Sequence, residues 1–96
     1  MENYEGLQTV LNLALSQAAE GKGKQRHANE LPFSQQPLMQ ISRMVGPGFP
    51  LGQAIKKSQE AFGMLGRRQR QAAQTELLGA INYLAAAYLL IEEKSK

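Results

Sequence analysis

Apolar positions recur along this chain at helical spacing. Tyr4, Leu7, Leu11, Ala14 and Ala18 fall at alternating intervals of three and four, and Val10 and Leu15 widen the stripe. That spacing puts apolar side chains on one face of an α-helix. A first helix is therefore expected over about 4–20, with Glu2 and Glu5 at its positive end and Gly21 as its stop. Residues 21–34 show no periodicity. Ser34 reads as the N-cap of a short helix over about 35–45, with Pro37 tolerated in its first turn and Leu38, Ile41 and Val45 on one side. The stretch 46–52 holds three glycines and two prolines in seven residues, a composition that predicts an irregular path. A third helix follows over about 51–62, with Leu51, Ala54, Ile55, Ser58 and Phe62 turned inward and Gly63 and Gly66 breaking it. The last runs over about 67–93.

Within that last helix, only Gly79 and Asn82 of the fifteen residues from Leu77 to Ile91 are not apolar or aromatic. Fifteen helical residues span about 22 Å, short of the roughly 30 Å hydrocarbon core of a bilayer. The pattern therefore describes a buried helix, with Leu77, Ile81, Leu84, Tyr88 and Ile91 along one seam. A helix apolar on nearly every side needs cover from several directions. A 96-residue chain supplies little of it, so a helical oligomer with Leu84 and Tyr88 in its core is expected. The fold class is all-α: one domain over 1–96, two long and two short helices, and two candidate functional loops at 21–34 and 46–52.

Composition agrees. All eight acids are glutamate, and there is no tryptophan and no cysteine. Glu, Gln, Ala and Leu lose little on entering a helix, and the missing thiols fit a reducing cytoplasm. The first residues show no basic-then-apolar signal-peptide pattern. Charge is segregated. Residues 21–70 carry nine cations against Glu30 and Glu60, a balance of +7, while 1–20 sum to −3 and 71–96 to −1. A basic middle between acidic ends points to an anionic partner.

The candidate chemistry sits in that middle. Gly21-Lys22-Gly23-Lys24 with Arg26 and His27 has the makings of an anion-gripping loop: glycines let backbone N–H groups approach, and cations neutralise. It is not a P-loop, which needs Gly-x-x-x-x-Gly-Lys-Ser/Thr after a strand. His27, the only histidine, has no cysteine or aspartate companions to complete a metal site. Arg67-Arg68-Gln69-Arg70 lies where the last helix starts; cations there oppose the helix dipole, so either the helix starts later or an anion binds at that end. Phe33 and Phe49 are placed to stack on a base, and Gly48 and Lys56 complete the candidate set. The glutamates form no Glu-x-x-Glu pair that would converge on magnesium. No metal, cofactor or catalytic group is therefore expected.

Residues 76–85, Glu-Leu-Leu-Gly-Ala-Ile-Asn-Tyr-Leu-Ala, follow a loop with Arg26-His27 and Phe33 and a helix with Gln53-Ala54-Ile55-Lys56-Lys57. Over about residues 21–91 this layout resembles small all-helical accessory proteins of tailed phages. Some of these are associated with nucleotide metabolism and are distantly similar to MazG-like or dATP/dGTP pyrophosphohydrolases. The resemblance implies a helical fold, a phage origin with action in the host cytoplasm, and a nucleotide ligand. Where such enzymes place acidic metal ligands near Asn-Tyr, this chain has Gly79 and Ala80, so hydrolysis is not expected. The function expected is non-catalytic binding of an anionic small ligand, a nucleotide or signalling nucleotide sequestered in an anti-defence role. The alternatives are a module that binds an acidic host protein, and a nucleic-acid binder using Lys56, Lys57 and Arg67–Arg70. A vestigial nucleotide pyrophosphohydrolase is the enzymatic alternative.

Overall fold

A computed structural model describes residues 2–20 and 31–94 of the chain. Four α-helices follow in order: α1 (Glu5–Glu20), α2 (Pro37–Val45), α3 (Gly48–Gly66) and α4 (Arg70–Lys94), with a 3-10 turn at Phe33–Gln35 ahead of α2. The described residues contain no strand, and none of these helices is long and apolar enough to cross a membrane.

α3 and α4 form an antiparallel hairpin and make the main helix–helix interface. The side chains at this interface are small. Ala54 and Ala61 of α3, spaced by seven, are buried, as are Ala73, Ala80 and Ala87 of α4 at the same interval. A repeat of seven keeps one face of a helix on its neighbour over several turns, and alanine lets the two backbones approach closely. α1 lies along α4 in the opposite direction: Asn82 Nδ2 donates to the Ala14 carbonyl at 3.0 Å and Gln17 Nε2 donates to the Thr75 carbonyl at 3.1 Å. α2 covers the other end of α4, where Met39, Ala86 and Leu90 form the tightest apolar cluster.

Ser34 lies in the 3-10 turn, and Gln36, not Ser34, is the N-cap of α2. Three further expectations need correction. The stretch 46–52 is not a loop, because α3 starts at Gly48. Pro50 falls in its first turn and is fully buried; the N–H it lacks would have no intrahelical acceptor there, so the proline costs nothing. Only Gly46 and Pro47 link the helices, and Gly46 supplies the positive φ of 95° that ends α2. Gly63 does not break α3, which continues to Gly66.

The third correction concerns direction. Leu51, Ile55 and Phe62 do not point inward; they are 43%, 63% and 77% exposed. On α4 the seam Leu77, Leu84, Tyr88 and Ile91 is likewise exposed. The two helices pack largely through their alanines and leave these large side chains outside.

Candidate functional site

Lys22, Lys24, Arg26 and His27 lie outside the described residues. The remaining candidates are spread over the length of α3. Gly48 opens the helix and Arg67 caps its far end, so some nineteen residues, about 28 Å of helix, separate them. Lys56 is exposed between the two. Within one chain Gly48, Phe49, Lys56, Arg67 and Arg68 do not share a pocket.

Both aromatic candidates are partly buried and take part in packing within the chain. Phe33 packs against the Met39–Ala86–Leu90 cluster and anchors the 3-10 turn. Phe49 is partly buried and meets the edge of Tyr83, with ring centroids 6.2 Å apart and planes at 90°.

Around Tyr83 the structure assembles a group that periodicity alone did not mark. Lys57 Nζ lies 5.9 Å from the Tyr83 ring centre and pairs with Glu76 Oε2 at 3.4 Å. Its stem crosses Gly79, the only glycine of α4: a Cβ there would sit 2.9 Å from Lys57 Cδ. A glycine inside a helix costs about 1 kcal/mol against alanine, and here it makes room for the lysine. The sequence signal was Gly79 itself, an exception within an apolar run. The group is a closed tie between α3 and α4. Glu76 is engaged by Lys57, and among the described residues no three His, Cys, Asp or Glu side chains converge on a metal site.

A second tie fixes α2 to the end of α4. Arg43 donates to Glu93 through Nε and Nη2 at 3.0 and 2.6 Å, and Nη2 also reaches the Ser34 carbonyl at 2.6 Å. The Glu93 carboxylate, mainly by accepting these bonds, holds the Arg43 guanidinium above its ordinary pKa.

The α3–α4 turn differs from both ties. Gln69 N–H donates to the Met64 carbonyl at 2.9 Å and Arg68 N–H donates to the Leu65 carbonyl at 3.1 Å. This is the Schellman closure of a helix, and its left-handed position, φ 61°, is occupied by Arg68. Glycine is the residue that normally sits there, because a side chain in that conformation costs about 1–2 kcal/mol. Arg67, Arg68 and Arg70 are all exposed, and no carboxylate among the described residues pairs with any of them. Arg67 Nε donates only to the Gln69 amide oxygen, at 3.2 Å. The turn also lies at the end of the bundle where α1 finishes, since Gln17 sits level with Thr75.

No family model, curated protein or solved structure matches the chain.

Proposed function

We propose that the protein is a non-catalytic binder of an anionic small ligand, of the nucleotide class, and that the α3–α4 turn is part of the binding surface. The observation that carries this reading is the placement of Arg68. A long cation occupies a left-handed position that favours glycine, between the end of α3 and the start of α4. Beside it are two further exposed arginines that no carboxylate among the described residues pairs. Arg67 and Arg68 also stand at the C-terminal end of α3, where the dipole favours cations; the left-handed conformation of Arg68 is the choice that local stability does not favour. An oxyanion there would be attracted by helix dipole and guanidinium groups together. In the sequence the basic run Lys22, Lys24, Arg26 and His27 follows α1, and it belongs to the same proposed ligand-binding set. The occupied Glu76 supports a binding role over a hydrolytic one. The resemblance of residues 21–91 to tailed-phage accessory proteins adds sequestration of a host nucleotide as the use of such binding.

Calorimetric titration of the purified chain with mono- and dinucleotides tests this. Arg67→Ala with Arg68→Ala is expected to weaken binding at least about tenfold, the loss of roughly 1.4 kcal/mol, with helix content unchanged. The affinity is expected to fall gently with salt, because a pocket for one nucleotide releases few counterions. Nanomolar binding to duplex DNA with a steep salt dependence would favour the nucleic-acid alternative, and binding only to an acidic protein would favour the interaction module.

A further inference from the structure

Independently of the basic turn, the outer face of α3 and α4 has the composition of half an interface. On α3, Leu51, Ile55 and Phe62 are 43%, 63% and 77% exposed; on α4, Leu84, Tyr88 and Ile91 are 51%, 68% and 57% exposed. Their exposed fractions amount to between three and four whole side chains, roughly 700 Å² at about 200 Å² each. A standard protein interface buries about 600–1,000 Å² per partner, whereas the largest apolar patch of a typical monomer is about 300–600 Å².

We infer that this face is covered by the same face of a second copy of the chain, related by a two-fold axis. Two observations select that occupant. First, the face carries both halves of a knob-and-hole contact. Phe62 and Tyr88 are largely exposed, and the groove of about 600 Å³ that Phe62 borders, walled by α3 and by Leu84 of α4, has the small residues Ala54 and Ser58 among its lining. A two-fold axis places the projections of each copy over the hollow of the other. Second, the residues lining the groove include no charge. A charged partner would lose its hydration there without gaining a counter-charge, while an identical uncharged face loses nothing of the kind. The small-residue packing of α3 on α4 explains why the large side chains remain available. The alanines bring the two helices together within a chain, and the exposed large side chains of the outer face are left to join two chains.

Sedimentation velocity at micromolar concentration, with circular dichroism as the check on folding, tests the pairing. The unmodified chain is expected to sediment as a dimer or a higher even oligomer. Phe62→Glu is expected to raise the dissociation constant of the pair at least about 100-fold, since a carboxylate would be buried unpaired. Its helix content should hold, because Phe62 is exposed within one chain. Met44→Glu, at an 81% exposed position on α2, is expected to leave assembly unchanged. The chain has no native cysteine, so Phe62→Cys mixed with Ser58→Cys should give a disulfide-linked dimer on mild oxidation, and Met44→Cys should not. The inference is overturned if the unmodified chain is a monomer at micromolar concentration. It is equally overturned if the oligomer survives Phe62→Glu and no crosslink forms between positions 58 and 62.

Discussion

Arg68 sets function against stability at a single residue. Replacing it with glycine relieves the left-handed strain and is expected to raise unfolding stability by about 0.5–1 kcal/mol, measured by urea titration. The same change should weaken nucleotide binding. A stabilised variant with undiminished binding would leave the arginine as turn chemistry alone. Gly79 makes a different kind of prediction. Its added methyl would displace only the flexible end of Lys57, and alanine is the better helix former. Gly79→Ala should therefore change stability by less than about 1 kcal/mol. The Lys57–Glu76 coupling, about 0.5 kcal/mol for a partly exposed pair, should vanish in a double-mutant cycle made on that background. An unchanged coupling would mean that the lysine stem does not depend on Gly79. The Arg43–Glu93 pair has a plain pH consequence. A guanidinium raised above its ordinary value keeps its contribution throughout the physiological range and loses it only in strong alkali. The arginine side of this tie is therefore constant at physiological pH. Arg43→Ala is expected to speed amide hydrogen exchange across residues 33–45 and leave α3 and α4 protected.

The helices were legible in the sequence to within a few residues, and the faces they use were not. Periodicity finds the largest apolar stripe on a helix, and on α3 and α4 that stripe is the outward one. The in-chain contact has the same seven-residue spacing in a different phase, marked by alanines that contribute little to an apolar pattern. The boundary missed at Gly48 has a similar cause: two prolines in seven residues read as loop unless their missing N–H groups fall in a first helical turn. This inversion reverses the usual ranking of substitutions. Ala80→Leu and Ala87→Leu, both at 4% exposure between packed helices, are expected to cost about 1–3 kcal/mol by overpacking. Met44→Ala, a much larger deletion, should stay within about 0.5 kcal/mol. Thermal denaturation of the three variants decides it, and equal losses would mean that the alanine seam is not the core.

For the molecule as a whole, the candidate site was legible only in part. The charge asymmetry pointed to the basic middle, but the chain order could not show that Phe33 and Phe49 are engaged in packing, or that Arg68 occupies a left-handed turn. Those facts depend on contacts between elements far apart in sequence. On this proposal the chain is held together largely through its alanines, with its exposed apolar face assembling two copies and the arginines of the α3–α4 turn holding an anion. Native mass spectrometry of the purified, unmodified chain tests both halves of that claim at once. The expected spectrum shows an even multiple of the 10.6 kDa chain carrying the extra mass of a small anionic ligand, which Arg67→Ala with Arg68→Ala removes without changing the subunit count. A spectrum of bare 10.6 kDa monomer under the same conditions would contradict it.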